Sequence, residues 1–305
     1  MVQSTAPAAS GRGLTRQNNL VGWAFTSPFL AVFGVFLALP IVASLMVSFT
    51  DFDLGDISNP VGTDFIGLSN YSEAVADPKF RKAAFNTGLF VVFGVPLTIL
   101  LGLAASVALN SGIRRFRALF RVGYYLPVVT SIVAIAVIWR FMLQPEGGVL
   151  NVMLGYLGLE GPNWLGSSTF AMPSIIALGV WRNMGFVMVI LLAALQGIDE
   201  QYYDAAKVDG ARTWQTFRYV TLPLLRPGML FAAVITSIGY LQVMEEPFVM
   251  TAGGPLDSTL TLTMYVYEQG FHFFNLGYAS AMAYLLFIAI ALLTALQFRV
   301  LRAQT

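Results

Sequence analysis

The sequence predicts an all-α polytopic membrane protein: six transmembrane helices and one polar, helical loop on the cytoplasmic side. Composition is the first observation behind this. Of 305 residues, 57% are hydrophobic and 11% charged, and the mean hydropathy is +0.71; soluble domains carry roughly 25% charged residues. The second is a set of six apolar stretches, at residues 20–49, 84–109, 119–143, 171–196, 228–250 and 277–299. About 20 apolar residues in a helix cross the hydrocarbon core. The third is the placement of basic residues. Arg12 and Arg16 precede the first stretch. Arg114, Arg115, Arg117 and Arg121 separate the second from the third, and Lys207, Arg212, Arg218 and Arg226 the fourth from the fifth. Arg299 and Arg302 end the chain, so twelve of the 17 Lys and Arg lie on one side. Cytoplasmic loops carry such an excess, which puts both termini and the loop after the fourth stretch in the cytoplasm. The other side holds Lys79, Arg81 and Lys82 with Asp51, Asp53, Asp56, Asp64, Glu73 and Asp77.

Residues 1–19 read as a small, polar, mobile tail, and residues 20–305 as a single membrane domain with a polar loop at 197–227. The first stretch is longer than the roughly 7–15-residue core of a signal peptide, so it is expected to be retained. Pro96 should kink the second stretch by removing a backbone hydrogen bond. Gly179, Gly185 and Gly239 permit close helix approach or make room for a ligand. The outer loops, 50–83, 144–170 and 251–276, carry Tyr71, Trp164, Tyr265 and Tyr267. These aromatics suit the interfacial belt, or loops that dock a partner.

Charges inside apolar stretches are expensive and usually functional. Counting a helical rise from Arg121 puts Arg140 about 28 Å away, at the outer interface. The same count from Gly228 puts Glu245 and Glu246 about 26 Å away, toward the outer mouth, where they either meet water or line a substrate path. Arg182 and Asn183 differ, being roughly 15–18 Å from either end of their stretch. They must face protein or a wet cavity, which leaves a substrate-facing role and an interhelical hydrogen bond both open.

Several chemistries are excluded. The chain has no Cys and one His, so thiolate and His-rich metal sites are ruled out. Net charge of +1 gives no field for nucleic acid. No Gly-Lys-Ser/Thr phosphate loop occurs, so ATP is not hydrolysed through one here. His272 has no catalytic partners at motif spacing, and no paired aspartates lie within the spans.

The polar loop reads as two short helices. Asp199 can cap the first by accepting free N–H groups, with Tyr202, Ala205, Ala206 and Asp209 on one face. Gly210 supplies a left-handed stop. Thr213 is expected to cap the second, with Trp214, Phe217 and Val220 on its apolar face. Leu222-Pro223 ends that helix or turns it into the next element.

These residues carry a resemblance. Asp204-Ala205-Ala206, Gly210 and Val220-Thr221-Leu222-Pro223 resemble the E-A-A-x3-G-x9-I-x-L-P loop of bacterial ABC importer permeases. Asp209 to Phe217 looks like the carbohydrate-uptake branch. A second patch runs from Met250 through Gly253-Gly254-Pro255, Ser258-Thr259, Tyr265, Tyr267 and Gly270-Phe271 to Gly277–Ala281. It resembles the first permease subunit of maltose-type and glycerol-phosphate-type importers. Phe120-Arg121 to Leu126-Pro127 and Ile66–Tyr71 fit as well, so the resemblance covers nearly the whole chain. The family's usual Glu is Asp204 here, and its common upstream Pro is Asp199.

The resemblance implies a type I ABC importer permease fold in the bacterial inner membrane. It implies a partner permease subunit, two ATPase subunits that use ATP and Mg, and an extracellular sugar-binding protein. This chain would itself bind no cofactor and catalyse no reaction. Asp204, Ala205, Ala206, Asp209, Gly210, Leu222 and Pro223 would couple to the ATPase. By the same analogy Asn183, Met184, Gly185 and Met188, with Tyr240, Gln242 and Val243, would line a sugar path, joined on the charge argument by Arg182, Glu245 and Glu246. Another solute class is the alternative, against which the Gly253-Gly254-Pro255 patch speaks. So is a secondary transporter, which should carry coupling carboxylates near the midplane; the rise count places none there.

Overall fold

The computed structural model describes residues 11–58, 62–111 and 117–302. Residues 1–10 of the expected tail, and Arg114 and Arg115 of the expected basic cluster, lie outside the described residues. No β-strand forms among the described residues; one isolated antiparallel bridge pairs Thr50 with Phe65.

Helix α1 (Gly11–Phe33) starts within the stretch expected as a tail and runs through a π-helical turn at Gly34–Ala38 into α2 (Leu39–Val47). None of its most apolar window is buried within the chain. A short helix α3 (Ser69–Ala76) leads into α4 (Pro78–Ser111), 34 residues and about 50 Å long at the helical rise. Pro96 sits inside α4 without interrupting it. Central to the bundle is α8 (Ala171–Gln196), whose Ile175, Leu178, Val187, Met188 and Leu191 are fully buried. In lipid the tails are as apolar as Leu, so tight packing rather than water exclusion holds such helices together. Glycines provide it: a Cβ on Gly102 would stand 2.6 Å from Val187 Cγ1, and one on Gly179 2.8 Å from Phe90 Cζ. Gly239, expected to serve the same purpose, has open space around it.

Two expected spans are broken. The third divides into α5 (Arg117–Val129) and α6 (Ile132–Met142), which meet at 96°. Ser131 is extended there (φ −54°, ψ 123°), and the Thr130 hydroxyl donates to the Leu126 carbonyl. The fifth was expected to run through 228–250. Instead α12 (Arg226–Leu241) stops, Gln242–Met244 turn, and α13 (Glu245–Thr251) starts afresh. Thr261 Oγ1 donates to the Val243 carbonyl that this break frees, at 2.7 Å. Among the described residues four helices are long and apolar enough to cross a membrane, or up to six spans if α5 with α6, and residues 213–224 with α12, each count as one.

The remaining elements cluster at the two ends. One end gathers the expected outer loops: α7 (Val149–Tyr156), α14 (Leu262–Tyr267) with a π-turn at Glu268–His272, and the start of α15 (Leu276–Arg302). Asn70, 5% exposed, donates to the Ser48 and Thr50 carbonyls, and Gly277 N–H donates to Phe52 O. A side chain at Gly277 would strike Thr50 O at 2.2 Å. The aromatics expected in a belt are largely engaged within the protein. Tyr71 pairs with Ser48 at 2.7 Å, Trp164 donates to Asn151 at 2.6 Å, and Tyr265 donates to Asp77 at 2.5 Å. The opposite end carries α9 (Glu200–Val208), α10 (Thr213–Thr216), a π-turn at Phe217–Thr221 and α11 (Leu222–Leu224).

Candidate functional site

The polar loop is built largely as its residues dictate. Asp199 is the N-cap of α9, and its Oδ1 accepts Gln201 N–H at 2.9 Å. Gly210 has φ +71°, which costs glycine nothing. Ala211 N–H donates to Ala206 O and Gly210 N–H to Lys207 O, the two bonds of a Schellman stop. Tyr202, Ala205 and Asp209 are exposed together, whereas Ala206 turns inward at 8% exposure. The expected four-residue face is therefore three residues wide, with Val208 beside it at 88% exposure. Asp204 is bridged to Lys207 of its own helix at 2.9 Å, which holds the ammonium above its usual pKa.

Thr213 is not the second cap. Arg212 takes that position, and the Gln215 side chain reaches back to accept its N–H at 2.8 Å. Trp214 packs on Phe217 at 5.6 Å but stays 68% exposed. Leu222-Pro223 continue the helix to a 63° bend before α12. A cleft of about 320 Å³ lies behind α9, lined by Val107, Leu195, Tyr203, Lys207 and Thr221 among others. The loop thus sits under the ends of α4 and α8 and presents a short exposed helix outward.

Inside the bundle, four helices bring polar groups together. Thr98 of α4 hydrogen-bonds the Tyr240 hydroxyl of α12 at 2.7 Å, and the Tyr240 ring meets Phe90 edge-on at 4.9 Å. Asn183 of α8 lies within reach of the same hydroxyl. Asn183 also donates to the Gly179 carbonyl one turn back. Glu246 of α13 lies 3.9 Å from Arg182 and is 5% exposed. The expected outer position of Glu246 is therefore corrected. A rise counted along one unbroken helix overshoots once the chain turns at Gln242–Met244. A carboxylate does sit at the depth of Arg182, paired with it. Thr98 was missed; its signal was a lone hydroxyl in an apolar run two residues after Pro96.

The other expected path residues disperse. Gln242 and Glu245 are exposed at the break. Val243 is buried beside Phe90 and Met250. Met184 lines a separate cleft of about 430 Å³ with Phe120, Tyr124 and Trp181. Gly185 and Met188 lie in helix packing against α5 and α4, since a Cβ on Gly185 would stand 1.9 Å from Tyr124 O and Met188 is fully buried with Leu109.

At the end that gathers the expected outer loops, a cleft of about 390 Å³ is lined by Asp51, Asp53, Glu73, Asp77, Tyr265 and Tyr278. Asp77 is its hub, accepting Lys79 N–H at 2.8 Å and the Tyr265 and Tyr278 hydroxyls at 2.5 and 3.1 Å. Burial alone would raise its pKa, but the hydrogen bonds from Tyr265, Lys79, Tyr278 and Phe80 together outweigh it and lower it. Burial and the neighbouring Asp77 charge push the Tyr265 phenol up. A carboxylate with a lowered folded pKa stabilises fully above its ordinary value, 3.8 here, and loses that contribution as pH falls through the folded value. The melting temperature of the purified protein should therefore stay level from neutral pH to about 5 and drop below about 4. Asp77→Asn should melt lower at neutral pH and show a smaller acid drop; an unchanged acid drop would remove Asp77 as its source.

Among the described residues no group of three His, Cys, Asp or Glu is placed to hold a metal ion. Residues 94–304 match the family described as binding-protein-dependent transport system inner membrane component. The chain is 36% identical over 294 residues to the lactose transport system permease protein LacF of Rhizobium radiobacter, covering 95% of this chain and 96% of the relative. It superimposes with a TM-score of 0.78 on a chain of a bacterial ABC transporter for the acidic polysaccharide alginate, at 25% identity and 96% and 99% coverage. A second structure of a bacterial alginate transporter, in complex with an alginate pentasaccharide-bound periplasmic protein, matches with a TM-score of 0.76 at 25% identity and 93% and 94% coverage.

Proposed function

This chain belongs to the family of binding-protein-dependent transport system inner membrane components, and on that premise we propose that it is a permease subunit of an ATP-driven importer whose cargo is a sugar. The lactose and alginate relatives support the cargo class. The observation that carries the energetic role is α9, a capped and stopped helix that exposes Tyr202, Ala205 and Asp209 at one end of the bundle.

In this reading residues 20–305 form the permease domain, with both termini and loop 197–227 in the cytoplasm. A second permease subunit completes the pathway. Two ATPase subunits hydrolyse ATP with Mg, and an extracellular binding protein delivers the sugar to the outer loops. Asp204, Ala205, Asp209 and Gly210 seat α9 in an ATPase groove, while Ala206 faces the permease. Leu222-Pro223 pass its displacement to α12. ATPase closure then moves α9 as a rigid body and rocks the helices between outward and inward access.

Sugar passes beside the polar cluster of Arg182, Asn183, Tyr240 and Glu246 and the exposed Gln242 and Glu245. Amides and charges bond its hydroxyls there. Replacing Asn183 and Gln242 together with Ala should reduce sugar uptake at least tenfold in cells, with normal recovery of the complex. Unchanged uptake would overturn this placement of the path.

A further inference from the structure

We propose that the Arg182–Glu246 pair selects uncharged sugar residues against acidic ones, an inference that rests on the sugar reading above. The two side chains face each other from α8 and α13 at 3.9 Å, Nη1 to Oε1. A charge-assisted hydrogen bond closes to about 2.7–2.9 Å, so this pair attracts without bonding and leaves about 1 Å of slack. Arg182 Nε is buried with no hydrogen-bond partner, and Glu246 is 5% exposed. The Tyr240 hydroxyl is already engaged by Thr98. Buried polar groups are nearly always satisfied, so the guanidinium at the centre of this cluster lacks a bonding partner at Nε.

A sugar hydroxyl completes it. Its oxygen accepts from the guanidinium while its proton goes to the Glu246 carboxylate, and both charged groups are then served by one neutral group. A uronate cannot do this, because a carboxylate only accepts. Placed against Arg182, it would stand beside Glu246, with Glu245 next along the chain, in a low-dielectric setting where like charges repel strongly. Arg140 offers no compensation, since it lines a cleft with Met250 and Thr251 at the far end of α13. A sugar amine meets the mirror-image conflict with Arg182. The same scaffold carries an acidic polysaccharide in the alginate importer, so the backbone does not decide cargo charge; side chains must. The plainer role for the pair is a strut that pins α13 to α8, and the test separates the two.

The assembled complex is placed in lipid nanodiscs without binding protein, so that only the permease selects. Two probes are compared by equilibrium dialysis: lactose, and a disaccharide of matching linkage ending in a uronate. Wild type should hold lactose at least tenfold more tightly. Glu246→Gln releases Arg182 and should raise uronate binding at least tenfold without raising lactose binding. Glu246→Asp should keep the wild-type preference, and Arg182→Gln combined with Glu246→Gln should lose the uronate gain. Equal binding of both probes by wild type would overturn the proposal even if Glu246→Gln does not assemble. So would a Glu246→Gln that changes both affinities by the same factor, the mark of a strut. A wild type that binds neither probe nor any sugar of a wider panel, while binding a non-sugar solute, would instead bring down the sugar reading.

Discussion

Replacing Gly210 with proline should abolish ATP-driven uptake while leaving the membrane bundle folded. Gly210 has φ +71°, and proline holds φ near −65°. Proline also removes the N–H that donates to Lys207 O at 3.0 Å. The Schellman stop cannot form, and the neighbouring bond from Ala211 to Ala206 goes with it. The local cost is about 3 kcal/mol or more, which a short exposed helix cannot absorb. The bundle is spared because α9 meets the rest of the chain chiefly through the π-turn at Phe217–Thr221. A graded series tests the cause. Space is not limiting, since a Cβ at Gly210 would meet nothing within 4 Å. Gly210→Asn, which tolerates the left-handed region, should retain most uptake and ATPase co-purification. Gly210→Ala should be intermediate, at a cost of about 1 kcal/mol. Proline should lose both activities at unchanged melting temperature. Equal behaviour of Ala and Pro, or intact ATPase capture with Pro, would show that the stop of α9 does not carry coupling.

That loop was legible because its determinants are local. The Asp199 cap and the Gly210 stop each depend on residues within six positions. Even so, the second cap was misplaced by one residue, because Gln215 reaches back to the Arg212 N–H and Thr213 becomes the first helical residue. Hydropathy read the apolar stretches well but not their direction. Nothing in composition distinguishes a straight span from the 96° elbow between α5 and α6. The α12–α13 break is held by Thr261 donating to Val243 O from 18 positions away. Because that break was invisible, the depth of Glu246 was misjudged, and with it the ion pair to Arg182, 64 positions earlier. Long-range pairing, not residue type, is what the sequence withheld.

The same limit applies to glycines, and Gly185→Ala should expose it by destabilising the permease severely. Gly185 and Gly239 look alike in sequence, each a glycine inside an apolar helix. A Cβ at Gly185 would stand 1.9 Å from Tyr124 O, 2.7 Å from Tyr124 C and 3.2 Å from Tyr125 Cα. These are backbone atoms, so no rotamer change relieves the clash; α5 must withdraw bodily from α8. Withdrawal would unpack Tyr124 from Met188 and Leu192, which are buried at 0% and 4% exposure. Overpacking a core costs typically 1–3 kcal/mol, and a clash with backbone belongs at about 3 kcal/mol or above. At Gly239 a Cβ meets nothing within 4 Å, and alanine is the better helix former by about 1 kcal/mol. Thermal unfolding of the purified complex in detergent should show Gly185→Ala melting many degrees lower, or failing to accumulate, and Gly239→Ala melting at or slightly above wild type. A Gly185→Ala protein of wild-type stability would mean that α5 does not lie against α8 as described, and would remove the α5–α6 elbow from the permease's fixed frame.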